Sequence, residues 1–170
     1  MTEEILTSSS TERLEWDEAS ALSSLYGPKG ALLLSLPRTW VPPFILLSPN
    51  LVDFIITNQV IWSESPILEL LVTFLQTNPT VIIRSSIIDE TIWERGSFKS
   101  VRLEGAQSGT ESCNFVEVLK SVRASAPQRR VAVIVQRFIE PQFHGEFGNL
   151  LRISKTRDHW EVSSVSASNF

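Results

Sequence analysis

Five consecutive apolar residues, VAVIV at positions 131–135, constrain the fold more than any other stretch of the chain. A run that is apolar at every position predicts an interior strand with both faces covered. A shorter apolar run at 81–83 predicts a second buried strand. Because helical and strand patterns alternate along the chain, we expect an α/β (α+β) class. The expected sheet is mixed and flanked by helices, mostly parallel in its first part and antiparallel in its C-terminal part.

The spacing of apolar residues and the helix-start signals predict the other elements. Ser48 and Ser65 each precede a proline, which pairs an N-cap residue with a residue suited to the first helical position. A helix is expected after each of these serines. Further helices are predicted over 14–25, 31–36 and 115–122, and short strands over 44–47, 101–103, 151–154 and 160–162.

The length and composition predict one globular domain with at most two small lobes. The chain has 170 residues, of which 42% are hydrophobic and 20% charged, as in an ordinary globular protein. We expect four parts in chain order. These are a mobile tail over 1–12, a first lobe over 13–125, the start of a second lobe over 126–165 and a tail over 166–170.

The net charge of -4 argues against a general nucleic-acid or anionic-membrane surface, since such surfaces need clustered positive charge. The richest basic cluster is that of Lys120, Arg123, Arg129, Arg130 and Arg137. No aromatic residues are interleaved with it, which favours a solvated helix end followed by a strand. Nucleic acid is therefore not an expected partner.

The lone Cys113 excludes an intrachain disulfide and a thiolate zinc cluster, which favours a reducing compartment. His144 and His159 are too far apart in sequence to form a histidine metal motif, so no metal site is predicted from them. The acidic, Ser/Thr-rich N-terminus lacks the order of a signal peptide, and no apolar run is long enough to span a membrane. We expect a cytoplasmic protein without a membrane partner.

Two short stretches have residues suited to binding an anion. Arg84, Ser85 and Ser86 follow the apolar residues of a strand, and this combination could hold phosphate oxygens or could simply meet solvent or a carboxylate. Lys29 stands at a predicted helix start after a Gly-Pro turn, where an ammonium group and amide groups can face one anion. Gln136 interrupts the apolar run and could pair with a ligand amide or with neighbouring backbone.

Three separated pieces resemble a known family. They are GPKGA at 27–31 followed by VPPFIL at 41–46, IRSS at 83–86 followed by DE at 89–90 and SF at 97–98, and VAVIVQRFI at 131–139. In order and spacing they are similar to motifs of the nucleotide-binding domain shared by phosphoenolpyruvate synthase, pyruvate phosphate dikinase and rifampicin phosphotransferase. That domain has an ATP-grasp fold, and the resemblance covers its N-terminal portion.

The resemblance implies ATP as the cofactor and assigns provisional roles to the matching residues. Lys29 and Arg84, with Ser85 and Ser86, would contact the phosphates, and Gln136 would lie near the adenine-side hinge between lobes. The loop over 90–100 would be a flexible cover. In that family ATP phosphorylates a protein histidine or a small substrate with the help of magnesium.

The sequence also departs from the family pattern. Pro28 and Phe44 stand where glycines are usual, and Ile87 replaces a small residue. The later stretch that supplies the magnesium-binding carboxylates is missing, so magnesium is expected only in a longer parent chain. The chain therefore resembles the ATP-binding portion of a phosphotransferase that is catalytically incomplete alone, and its status as an enzyme stays open.

Two alternatives remain beside this interpretation. The chain could be a non-catalytic protein-interaction module that retains the fold, with a protein partner or further domains of a longer chain. It could also be an enzyme that uses acids within these residues as magnesium ligands, since oxygen ligands suit that ion. The candidates are Asp89, Glu90, Glu94 and Glu146.

Overall fold

The computed structural model describes residues 5–9, 13–58, 66–91, 94, 98–104, 111–139, 149–155 and 160–166. The chain divides into two compact units, Met1–Phe138 and Ile139–Phe170.

The first unit is built on one five-stranded sheet with the strand order β1-β2-β5-β3-β4. Its strands are β1 (Ile5–Thr7), β2 (Phe44–Leu47), β3 (Thr80–Ile87), β4 (Ser100–Glu104) and β5 (Val131–Arg137). As the uninterrupted apolar run predicts, β5 lies at the centre of the sheet, and its residues 131–136 are all buried.

Every neighbouring pair of strands in this sheet is antiparallel, so the prediction of a mostly parallel first part is wrong. β2 and β3 do run in the same direction and are joined through helices, as helix-strand alternation suggests. However, β5 inserts between them and runs opposite to both. Helix-strand alternation is consistent with the shared direction of β2 and β3 but does not specify which later strand enters between them.

Helices cover both faces of the sheet. They are α1 (Trp16–Ala21), α2 (Ser23–Ser35), α3 (Pro49–Asn58), α4 (Pro66–Thr77) and α5 (Glu111–Arg123), with a 3-10 turn at Arg38–Trp40. Side chains of α3, α4 and α5 form the larger core with the odd-numbered residues of β2, β3 and β5. Side chains of α1 and α2 form a smaller core with Phe44, Leu46 and Ile134 on the opposite face.

The sequence signals for the helix starts agree with the structure in part. The Ser48 hydroxyl accepts a hydrogen bond from the Leu51 amide at 3.2 Å, which confirms the predicted cap of α3. The predicted turn after Gly27 is instead a break inside α2, where Gly27 has φ +70° and the helix resumes at Pro28. Lys29 therefore lies in the first turn of the resumed helix, as expected.

Two of the predicted boundaries between parts of the chain differ from those in the structure. Residues 5–7, expected within a mobile tail, form β1 and pair with β2. Residues 126–138, expected to begin a second lobe, contribute the central strand of the first sheet, and the units divide after Phe138. Hydrogen bonding to β2 and β3 on both sides holds β5 in the first unit.

The second unit contains the predicted antiparallel strand pair. β6 (Asn149–Lys155) pairs with β7 (Trp160–Ser166), with Asn149 opposite Ser166 and Lys155 opposite Trp160. β7 extends to Ser166, beyond the predicted end of that strand and into the expected tail. The connection over 156–159, His144, His159 and Glu146 lie outside the described residues.

No helix among the described residues is long and apolar enough to cross a membrane.

Candidate functional site

Arg84, Ser85 and Ser86 are adjacent in sequence near the end of β3, but side-chain alternation places them on two different faces of the sheet. Ile83 and Ile87 belong to the core under α3, α4 and α5. Because side chains alternate along a strand, Ser85 points to that same face, whereas Arg84 and Ser86 point to the face that carries α2. The Ser85 hydroxyl donates to the Lys99 carbonyl at 3.3 Å. Ser85 is therefore separated from the other predicted phosphate-binding residues.

Ser86 holds the resumed part of α2 against the sheet. Its side chain is fully buried, and its hydroxyl accepts a hydrogen bond from the Gly30 amide at 3.3 Å. Gly27 packs so closely on Ser86 that a side chain there would overlap it. Ser86 thus connects the end of β3 to the helix turn that presents Lys29.

Lys29 is paired with Glu90, an acid in the loop that follows β3. Its Nζ atom lies 2.9 Å from Oε1 of Glu90, and the exposed fractions of the two side chains are 28% and 1%. The contact is close enough for an ion pair but lacks the alignment of a hydrogen bond. Within the described part of the chain, neither oxygen of Glu90 has a hydrogen-bond partner.

Arg84 lies in the middle of the α2-side face, half-buried, between β4 and β5. It is opposite Ser100 on one side and Ile134 on the other. Among the residues that the structure describes, no hydrogen bond or ion pair is found for its guanidinium group. With respect to the described residues, the N–H donors of the Arg84 guanidinium group are therefore available to a ligand on this face.

Gln136 shares the α2-side face but lies at its other end. It is opposite Phe44 and Ile82, whereas Ser86 is opposite Ala132 on the same strand. At about 3.3 Å per residue, these two levels on β5 are roughly 13 Å apart. The structure thus places Lys29, Ser86, Arg84 and Gln136 along one face in that order, with Gln136 just before the end of the first unit.

A second arginine on this face was missed at the level of sequence. Arg102 of β4 is opposite Ile82, its guanidinium lies 4.3 Å from the centre of the Phe138 ring, and it pairs with Glu104 at 2.9 Å. The alternation in the sequence around Arg102 indicated a half-buried strand. Only the pairing of β4 with β3 shows that Arg102 lies beside Ile82 on the same face as Arg84.

Arg129, which precedes β5, anchors the loop after β3 through ion pairs. The guanidinium of Arg129 binds the carboxylate of Asp89 at 2.9 Å and that of Glu94 at 2.6 Å. Its hydrogen bond to Asp89 raises the pKa of Arg129 above its ordinary value. Hydrogen bonds from Thr91, with help from Arg129, lower the pKa of Glu94. The described residues of the expected phosphate cover are thus tied to the body of the first unit.

Three of the acids considered as magnesium ligands form ion pairs with basic side chains. Asp89 and Glu94 both face Arg129, and Glu90 faces Lys29. Within the described ranges, no group of three histidine, cysteine or acidic residues could hold a metal ion.

The basic cluster predicted around the end of α5 consists partly of structural ion pairs. Arg123 binds Asp53 of α3 at 2.9 Å, and Lys120 binds Glu117 one turn earlier at 2.7 Å. Arg129 is occupied by Asp89 and Glu94, as described above.

No model of a known protein family, no curated protein and no solved structure matches this chain. A functional proposal for it rests on its own residues and their arrangement.

Proposed function

We propose that the first unit binds ATP on the α2-side face of its sheet. The chain would be the ATP-binding portion of a phosphotransferase resembling phosphoenolpyruvate synthase and pyruvate phosphate dikinase, with an ATP-grasp-like fold and catalytically incomplete alone. The observation that carries the proposal is the guanidinium of Arg84, for which no hydrogen bond or ion pair is found among the described residues. It lies on the same face as Ser86 and the helix turn that presents Lys29.

The chemistry of Arg84 favours a phosphate as its partner. A guanidinium group presents a planar fork of donors that matches two oxygens of a phosphate, and its charge persists at any physiological pH. A half-buried arginine without a partner among the described residues gains most from a ligand that brings its own negative charge. Strand β3 holds the arginine rigidly between two neighbouring strands.

The order of residues along the face supports an extended ligand with one charged end. Lys29 and Ser86 lie at one end and Gln136 at the other, with Arg84 between them. The amide of Gln136 can donate and accept, which suits a neutral heterocycle such as adenine. We therefore place the phosphates near Lys29 and Arg84 and the base toward Gln136.

Magnesium would come with a later segment of a longer parent chain. Among the described residues, the acids nearest Lys29 are already paired with basic side chains, and no three potential ligands converge. The proposed role of this portion is therefore positioning and charge neutralisation, the terms that dominate phosphoryl transfer.

Isothermal titration with ATP, with and without magnesium, tests the proposal. Arg84→Ala should weaken binding roughly 10- to 100-fold, which corresponds to the loss of a charged hydrogen bond of about 1.5–3 kcal/mol. Arg137→Ala is the matched control, because Arg137 is an exposed arginine of β5 on the opposite face of the same sheet. Absence of ATP binding, or equal affinities for both variants, would refute the proposal.

The pairing of Lys29 with Glu90 favours a second candidate, the non-catalytic module that acts through a protein partner. The buried carboxylate of Glu90 already neutralises the ammonium of Lys29, so Lys29 has a structural role that requires no nucleotide. This candidate predicts that Lys29→Ala reduces stability but changes no nucleotide affinity. Loss of ATP binding in that variant while its unfolding midpoint is preserved would exclude it.

A further inference from the structure

Glu90 is an unusual group in this fold because its charge is buried without full compensation. Its side chain is 1% exposed, and its closest partner is Lys29 at 2.9 Å. Among the described residues, no donor is aligned with either carboxylate oxygen. A buried carboxylate ordinarily collects several hydrogen bonds, because desolvation of an ion is costly. Among the described residues, the buried Glu90 carboxylate therefore has one close charged partner and no aligned hydrogen-bond donor.

The position it occupies is one that suits an anion. Lys29 stands in the first turn after the break of α2, where the helix dipole and the ammonium group both favour negative charge. Gly30 in the same turn already donates its amide to Ser86. A carboxylate from the same chain now lies against the lysine, and the buried, poorly paired Glu90 is the second feature that marks this position.

The loop that carries Glu90 has its own anchor outside the ion pair. Asp89 and Glu94, on either side of Glu90, are bound to Arg129. The Glu90 amide donates to the Ile87 carbonyl at 3.2 Å. The loop can therefore remain attached to the first unit through Arg129 while the Glu90 side chain leaves Lys29.

We propose that Glu90 is an internal competitor for the anion position at Lys29, and that a polyphosphate must displace its carboxylate to bind. This inference rests on the proposed nucleotide site and identifies the residue that sets its affinity. The ligand class is a polyphosphate, free or as part of a nucleotide. While Glu90 occupies Lys29, only a fraction of the molecules can bind, so the apparent affinity is lower than the intrinsic affinity.

Binding of inorganic tripolyphosphate and of ATP to the full chain, measured by titration calorimetry, tests the inference. Glu90→Gln keeps the shape of the side chain and removes its charge, and it should bind tripolyphosphate about tenfold more tightly than the wild type. Glu90→Asp is the matched control because it retains the competing charge, and it should not gain affinity to this extent. The gain in Glu90→Gln should disappear when Lys29→Ala is added.

The inference is overturned if Glu90→Gln binds tripolyphosphate no more tightly than the wild type or does not bind it. The two proposals fail differently. If the wild type binds ATP through Arg84 but Glu90→Gln gains nothing, only the competition by Glu90 is refuted. If Glu90→Gln gains affinity for tripolyphosphate and ATP binds no better than tripolyphosphate, the nucleotide assignment fails and the competition stands.

Hydrogen exchange on the wild-type chain gives a measurement that does not depend on a variant that folds. Displacement of the Glu90 carboxylate should loosen the start of the loop, so saturating tripolyphosphate should speed amide exchange at 88–91. Binding that leaves Glu90 in place should slow exchange there or leave it unchanged. Either of those two results overturns the inference.

Discussion

Gly27 and Ser86 are in such close contact that the chain has no room for any side chain at position 27. A Cβ atom on Gly27 would overlap the Ser86 hydroxyl and would lie 2.9 Å from the Ser86 carbonyl oxygen. Gly27 also has φ +70°, a conformation that costs other residues energy. The break in α2 therefore packs directly against the end of β3, with no space for a side chain between them.

Gly27→Ala should destabilise the first unit by about 2–4 kcal/mol, because it adds backbone strain to an overlap that the packing cannot easily relieve. The free energy of unfolding in urea, followed by circular dichroism, measures the effect. Adding Ser86→Ala should recover only part of the loss, because the overlap with the Ser86 carbonyl oxygen remains. Full recovery in the double variant would show that the hydroxyl alone causes the restriction.

Phe115 and Phe54 provide a matched test of the larger core, because one is buried in it and the other is exposed on the same side of the sheet. Phe115 of α5 is completely buried, whereas Phe54 of α3 is 48% exposed. Phe115→Ala should reduce the free energy of unfolding by about 3–5 kcal/mol, because it removes a large side chain from a packed core. Phe54→Ala should cost clearly less. Similar losses in the two variants, measured from urea unfolding, would contradict the assignment of the larger core.

The attachment of the loop to Arg129 should depend on pH through Glu94. Hydrogen bonds from Thr91, together with Arg129, hold the pKa of Glu94 below its ordinary value of 4.5. A carboxyl group whose pKa is lower in the folded state stabilises the fold above its unfolded pKa and loses that contribution as the pH falls through the folded value. The Glu94 contribution should therefore be complete above about pH 4.5 and vanish in more acidic solution.

Urea unfolding midpoints of the wild type and Glu94→Gln, compared between pH 6 and pH 3, check this prediction. The wild type should be the more stable of the two at pH 6, and the difference should shrink toward pH 3. A carboxyl titration of Glu94 by carbon NMR provides the direct measurement. A titration midpoint at or above 4.5 would show that the contacts with Thr91 and Arg129 do not persist in solution.

Much of the local structure was predictable because it depends on short-range signals. The apolar run of β5 indicated an interior strand, and the serine before Pro49 indicated the cap and start of α3. The strand pair β6–β7 followed from two alternating stretches around a polar connection. Neighbouring residues determine each of these features.

The candidate site was predictable only in part. Lys29, Arg84, Ser86 and Gln136 share one face of the sheet, whereas Ser85 lies on the other. Period-two alternation in a strand separates adjacent residues, so a tripeptide cannot supply three ligands to one site. Arg102 and the ion pair between Lys29 and Glu90 depend on contacts between distant segments, which no local pattern specifies.

The sequence alone indicated the existence and type of most strands and helices, because periodicity, capping and turn preferences act over a few residues. The tertiary structure decided that β5 lies between β2 and β3 and opposes both, because that choice depends on how separate apolar faces pack together. It also decided that Glu90 is buried against Lys29. The partner of a buried charge is set by the fold. In this chain the partner, Lys29, belongs to α2, which precedes Glu90 in sequence by the two strands β2 and β3.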